Sequence, residues 1–205
     1  MLVALTMRVT EAADYTERRD SISHDWLIRL DSWRMSPVLL PNKGRFVATF
    51  DRMNPDLLIL TGGDDPGVTP ERDQAEQELF TKAVATGTPV LGVCRGLQLI
   101  NQWMGGRLGT VSGHVAATHD VRIEPIWQVH YGAVARVNSF HTSAIPPDGL
   151  ANGLTAAAYD DAGNIEAFAG TDMPVAGVMW HPEREGFPDG DRQMIESLAR
   201  QKAKS

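Results

Sequence analysis

Val90-Leu91-Gly92-Val93-Cys94-Arg95-Gly96-Leu97-Gln98 is the stretch on which the reading of this chain turns. A short apolar run, Val90–Val93, leads into it; Leu97, Ile100 and Met104 leave it at helical spacing, closed by Gly105-Gly106. The pattern is strand, sharp turn, helix. The one cysteine of the sequence sits on the turn, with a glycine two residues away on each side. That is the form of a nucleophile elbow. Side chains at the flanking positions would collide across so tight a turn, so glycine is needed there. The turn lifts the sulfur above the sheet edge and sets it at a helix N-terminus, where free N–H groups and the helix dipole favour negative charge. A lone cysteine in an apolar run is otherwise a small buried hydrophobe. The two glycines and the strand–turn–helix context are what favour chemistry here.

Outward from the elbow, short apolar runs alternate with amphipathic stretches. Leu2–Thr6, Pro37–Leu40 and Asp56–Leu60 read as further buried strands. Asp20–Trp33 reads as a helix through Ile22, Trp26, Leu30 and Trp33, and Glu71–Thr86 as one stopped by Gly87. Such repetition implies parallel strands with helices on both faces. The second half is richer in strands: His119–Ile123, Tyr131–Val137, Leu154–Tyr159, Asn164–Ala169 and Val175–Trp180, before a closing helix over Asp191–Lys202. No linker or repeat interrupts the 205 residues, which predicts a single domain over 1–205.

Composition narrows the partners. Hydrophobic residues at 42% and charged residues at 22% are the balance of a folded chain. A net charge of -7 argues against nucleic acid or an anionic membrane as the main partner. No apolar stretch approaches the roughly 20 residues of a membrane span, and the N-terminal apolar run is shorter than the ~7 residues of a signal-peptide core. With one cysteine no internal disulfide can form, and a cytoplasmic protein is the natural expectation. The oligomeric state stays open, a homo-oligomer included.

A cysteine nucleophile needs a base and a group to orient that base. Val178-Met179-Trp180-His181-Pro182-Glu183 offers both. In extended backbone residues two apart face the same side, and Pro182 keeps the segment out of a helix, so His181 and Glu183 are expected to be neighbours. An oxyanion hole calls for backbone N–H donors. Arg95 N–H, directly after the nucleophile, is one candidate, and Gly62-Gly63, directly after the strand Asp56–Leu60, supplies the second at Gly63. In a doubly wound sheet both loops lie at the carboxyl ends of strands.

Taken together, Gly92-Val-Cys94-Arg-Gly96-Leu-Gln98 and His181-Pro182-Glu183 resemble the elbow and the H-P-E ending of the class I glutamine amidotransferase superfamily. Thr61-Gly62-Gly63-Asp64-Asp65-Pro66, Arg72-Asp73-x-x-Glu76, Asn101 through Gly105-Gly106, and Val137-Asn138-Ser139-Phe140-His141 are similar to segments of the γ-glutamyl-γ-aminobutyrate hydrolase (peptidase C26) family. The resemblance spans roughly residues 56 to 183. It implies an α/β, flavodoxin-like fold, a doubly wound, mostly parallel sheet flanked by helices. It also implies hydrolysis of a small-molecule γ-glutamyl amide through a thioester, with Cys94, His181 and Glu183 as the triad and no metal or organic cofactor. Gln98, Gly62, Asn138, Ser139, Phe140 and His141 would bind the γ-glutamyl group. Two departures stand out: His141-Thr142-Ser143 replaces the family's H-x-Q, and only Gly67–Glu71 remains between the G-G-x-D-x-x-P segment and the Arg72-Asp73 pair.

The shorter loop leaves the leaving-group side open, and the N-terminal region bears on what enters there. Thr6-Met7-Arg8-Val9 leaves the first strand at the sheet edge, followed by Arg18-Arg19. Arg8, Arg18 and Arg19 are expected to present guanidinium groups to a phosphorylated leaving group. Arg18 and Arg19 read equally well as solvated charges paired with Glu17 and Asp20. The compact chain with these arginines resembles the γ-glutamyl-CDP-amidate hydrolases of phosphoramidate polysaccharide modification. The competing functions are a γ-glutamyl-γ-aminobutyrate-type hydrolase, a glutaminase subunit feeding ammonia to a synthase, and a non-catalytic binding protein; the complete Cys94, His181 and Glu183 set counts against the last.

Overall fold

Leu57–Leu60 and Val90–Val93 carry no polar side chain to turn toward water, so each must be covered on both faces. They become the centre of a nine-stranded sheet in a computed structural model, which describes residues 1–184 and 189–202. The strands are β1 (Leu2–Thr6), β2 (Arg8–Glu11), β3 (Arg18–Ser21), β4 (Ser36–Leu40), β5 (Leu57–Leu60), β6 (Val90–Val93), β7 (Gly109–Thr110), β8 (Val115–Ile123), β9 (Val134–Phe140), β10 (Ser143–Ala144), β11 (Leu154–Tyr159), β12 (Ile165–Gly170) and β13 (Val175–Val178). The helices are α1 (His24–Ser32), α2 (Phe46–Met53), α3 (Pro70–Thr86), α4 (Arg95–Trp103), α5 (Gln128–Tyr131) and α6 (Gly190–Ala199).

The sheet runs β4-β1-β5-β6-β13-β12-β11-β8-β9. From β4 to β13 every pairing is parallel, and from β13 to β9 every pairing is antiparallel. Only β12 and β8 therefore run against the common direction, and the sheet is mostly parallel. Alternate residues of the central strands feed two cores. Val3, Leu5, Leu57, Ile59, Leu91 and Val93 meet Trp26 and Leu30 of α1 and Met194, Ile195 and Leu198 of α6. Ala4, Leu58, Leu60 and Val90 face Phe50 of α2, Leu79 and Ala83 of α3, and Leu97 and Ile100 of α4. Helices thus cover both faces, which is the flavodoxin-like arrangement.

Several local expectations need correction. Residues 18–21 are not helical: β3 pairs antiparallel with β2 in a separate two-stranded hairpin. The helix begins only after Ser23, whose Oγ accepts the Asp25 N–H at 3.2 Å as an N-cap. Helix α2 has no counterpart among the expected elements; its start at Arg45 has no side-chain cap to announce it. The last helix ends at Ala199 rather than Lys202. Gly87, in contrast, ends α3 in the left-handed conformation at φ 65°, as a C-terminal glycine should.

Candidate active site

The elbow forms where β6 meets α4. Cys94 has φ 51° and ψ −104°, a conformation that costs free energy for a residue with a side chain. Its two glycines have specific reasons. A Cβ on Gly92 would lie 2.6 Å from the Gly96 carbonyl and from Leu97 N, and one on Gly96 would run into the carbonyl oxygen of Leu60. The Cys94 N–H donates to the Val178 carbonyl at 2.8 Å. This pins the turn to β13, the strand whose continuation carries His181.

Beyond β13 the chain brings His181 and Glu183 together. His181 Nδ1 and Glu183 Oε1 are 2.8 Å apart, and the imidazole lies beside Cys94 across the Gly62 position. All three residues are buried, Cys94 being 6% exposed. Burial pulls the His181 imidazole down, but the neighbouring Cys94 and the hydrogen-bonded Glu183 carboxylate more than reverse this, raising it to about 9. Asn138 of β9 clamps the His181 backbone: its Oδ1 accepts the His181 N–H at 2.9 Å and its Nδ2 donates to the His181 carbonyl at 3.0 Å. One residue earlier, Trp180 Nε1 donates to Asp191 Oδ1 at 2.9 Å, which also accepts the Tyr131 hydroxyl at 2.8 Å. Phe140 sets its ring edge against His181 at a centroid distance of 5.7 Å, and the Arg184 guanidinium lies 3.7 Å over that ring.

The Thr61–Gly63 loop lies against the same histidine. A Cβ on Gly62 would sit 2.8 Å from His181 Cε1 and 3.6 Å from Cys94 Cβ, so only glycine allows this approach. Beneath the loop lies a buried ionic network. Arg72 Nε donates to Glu76 Oε1 at 2.9 Å, and Arg95 pairs with Glu76 and Asp73. Arg72 Nη2 donates to the carbonyls of Thr61 at 2.7 Å and Gly62 at 3.1 Å; Arg8 Nε also donates to the Gly62 carbonyl at 3.1 Å. With the Gly62 carbonyl held by two guanidiniums, its trans peptide turns the Gly63 N–H away from them. Arg95 opens α4, where the first N–H groups have no partner within the helix. The i,i+4 spacing of Arg72 and Glu76 is the signal for this network in the sequence.

Other expected substrate residues have different partners. Gln98 directs its amide to the Ser143 carbonyl at 3.3 Å and to Met179 Sδ. Asn138 uses both side-chain atoms on His181, and Ser139 Oγ donates to the His114 carbonyl at 2.7 Å. His141 Nδ1 lies 2.9 Å from the Ser143 carbonyl, with Nε2 facing Glu166 at 3.6 Å. Through Asn138 the segment Asn138–His141 also supports the His181 backbone. Of the three arginines, Arg8 alone reaches the loop beside Cys94. Arg18 pairs with Glu71 and Glu11, and Arg19 with Glu17 and the Tyr15 hydroxyl. They line a cavity of about 360 Å³ together with Lys43 and Glu71.

Comparison with known proteins assigns this architecture. The family model for peptidase C26 matches residues 2–183. The chain belongs to the peptidase C26 family. The chain spans 66% and 42% of the length of two of its curated relatives, a glutamine amidotransferase-like protein and a carbamoyl phosphate synthase small chain. It is 34% identical over 159 residues to a glutamine amidotransferase-like protein of Lactococcus lactis, covering 62% of this chain and 66% of that one. It is 27% identical over 194 residues to the gamma-glutamyl-CDP-amidate hydrolase of Campylobacter jejuni, covering 90% and 91% of the two chains. The crystal structure of a candidate GMP synthase component from Thermoplasma acidophilum superposes with a TM-score of 0.74 at 19% identity, covering 98% of this chain and 94% of that one. Among the described residues of this C26 protein, no helix is long and apolar enough to cross a membrane.

Proposed function

We propose that this C26 hydrolase cleaves a γ-glutamyl amide through a thioester on Cys94. The observation that carries the reading is His181, 2.8 Å from Glu183 and set beside Cys94, at a glycine-flanked elbow. Cys94 Sγ, its proton already held by His181, attacks the γ-carbonyl carbon. The oxyanion is met by the Gly63 and Arg95 N–H groups. His181 returns the proton to the departing nitrogen, the C–N bond breaks and the thioester forms. Water then attacks the thioester with His181 as base, releasing glutamate and restoring the thiol. Glu183 holds the imidazole tautomer and stabilises its cation.

The leaving group in this reading is a phosphate-bearing amidate, and γ-glutamyl-CDP-amidate is the substrate of choice. Support comes from the Campylobacter relative that carries that name and matches along nearly all of both chains. Arg8 beside the oxyanion loop and the cavity lined by Arg18, Arg19 and Lys43 offer guanidinium and ammonium groups on the open side. The test compares kcat/KM for γ-glutamyl-CDP-amidate, glutamine and γ-glutamyl-γ-aminobutyrate. Preference for the amidate is expected. If γ-glutamyl-γ-aminobutyrate is hydrolysed best, the leaving group is an aliphatic amine; if glutamine is best, the chain is a glutaminase.

A further inference from the structure

Behind the β9 segment that clamps His181, four side chains converge without satisfying one another. Glu166 of β12 is fully buried, yet neither of its carboxylate oxygens has a hydrogen-bond partner among the described residues. Around it stand His114 Nδ1 at 3.8 Å, His119 Nε2 at 3.9 Å and His141 Nε2 at 3.6 Å, each buried and likewise unpartnered. One ligand atom from each of the four lies within 4.8 Å of every other.

The outer nitrogens explain what the inner ones present. His141 Nδ1 faces the Ser143 carbonyl at 2.9 Å, so it carries the proton and leaves Nε2 as a lone pair. His119 Nδ1 faces the Asp120 carbonyl at 3.3 Å, with the same result. His114 Nε2 lies 3.5 Å from Asp160 Oδ2, a carboxylate itself fixed by Asn164, which leaves Nδ1 as the inward lone pair. Three imidazole lone pairs and a carboxylate thus point at one spot, with no donor among them. Such a cluster of buried acceptors needs a proton or a cation at its centre.

We propose that His114, His119, His141 and Glu166 bind one zinc ion. Three imidazoles and a carboxylate are an acceptable zinc set, and outer acceptors on the ligating histidines are the usual support of such sites. A tetrahedron with bonds of 2.0–2.1 Å has ligand–ligand edges of roughly 3.3 Å, so the histidine–carboxylate contacts of 3.6 to 3.9 Å close by about half an ångström or less, and the wider separations, which reach up to 4.8 Å, close further as the side chains turn inward. Four protein ligands fill the coordination sphere, so the ion is structural and supplies no hydrolytic water. It ties together the start of β8, the end of β9 and β12. Because His141 follows Asn138 by three residues, the ion fixes the segment that holds the His181 backbone. His114 and His119 are partly exposed, which gives the metal a way in.

The test is metal analysis of the whole purified chain, together with cobalt substitution. Protein prepared with zinc present should carry about one zinc per chain after desalting. After removal by a chelator, added Co²⁺ should give the intense visible bands of a tetrahedral site. Glu166→Gln and, separately, His119→Ala should each weaken metal binding by about tenfold or more and remove those bands. Chelation should lower the melting temperature of the parent chain but not that of a variant that has lost the metal. His119 is partly exposed, so His119→Ala carries the test if Glu166→Gln fails to fold. A folded parent chain that takes up neither zinc nor cobalt overturns the proposal, and the four groups then share protons instead. Metal affinity unchanged in both variants overturns it as well, because the ion is then bound elsewhere.

Discussion

Arg72 and Arg95 lie buried beneath the loop after β5 and are held by Glu76 and Asp73 of α3, whereas Arg18 and Arg19 stand half-exposed on the β2–β3 hairpin against Glu11, Glu71 and Glu17. The chemistry of the two groups is the same and their consequences are opposite. A buried guanidinium cannot leave its carboxylate without stranding a charge out of water, so the inner pairs hold one geometry. An exposed pair is worth at most about 1 kcal/mol and can be exchanged for a ligand. Arg72 therefore fixes the Thr61–Gly62 carbonyls, with Arg95 bracing the shared Glu76, and the outer arginines are held far more loosely.

The largest effects should fall on the inner side, at the reacting groups. Cys94→Ala should lower kcat/KM for any γ-glutamyl substrate by ~10⁴-fold or more, with circular dichroism unchanged. His181→Ala should come next. Glu183→Gln should retain more activity than His181→Ala, because losing the orienting carboxylate leaves the proton carrier in place. The reverse order in kcat/KM would exchange their roles.

Next in size is the ionic network. Glu76→Ala strands two buried arginines and should cost about 3–5 kcal/mol in urea denaturation. A loss under about 1 kcal/mol would mean that the inner pairs behave like surface pairs, and the contrast would fail.

A pH experiment sharpens the picture at His181. Its folded value of about 9 stands above the ordinary 6.5, so the folded chain holds this proton more tightly than the unfolded one. The stabilisation is complete below pH 6.5 and fades as pH rises through about 9, by on the order of 3 kcal/mol in all. Cys94→Ala removes one of the contacts that raise the imidazole, so its titration, followed by NMR, should move down. An unchanged titration would mean that Glu183 alone sustains it.

The smallest effects belong to the hairpin. Arg18→Ala and Arg19→Ala should leave stability within about 1 kcal/mol of the parent. Each should erode the preference for a phosphate-bearing leaving group by roughly tenfold to a hundredfold. Equal loss on glutamine and on the amidate would assign the hairpin a structural role.

The elbow was legible in the sequence because its constraint is local: Gly92 and Gly96 are required by atoms within a few residues of Cys94 or on the adjoining strand. His181 and Glu183 were legible for the same reason, being two apart on an extended segment. Asn138, Gln98 and His141 were legible only by resemblance. Asn138 acts on a residue 43 positions away, a pairing that rests on β9 and β13 lying in one fold. The convergence of His114, His119, His141 and Glu166 depends on the β8–β9 ribbon and β12 together, and no spacing in the sequence announces it. Asp20-Ser21, the end of β3, read as the start of a helix because Ile22 falls in phase with Trp26, while the Ser23 cap that separates them is a single residue.

The claim that Cys94 forms a covalent γ-glutamyl intermediate is tested most directly by mass spectrometry of the chain after incubation with the glutamine analogue diazo-oxo-norleucine. The account predicts one adduct, on the peptide that contains Cys94, with loss of γ-glutamyl hydrolysis in step with its formation. An enzyme fully inactivated with Cys94 unmodified, or undiminished hydrolysis by Cys94→Ala, would contradict it.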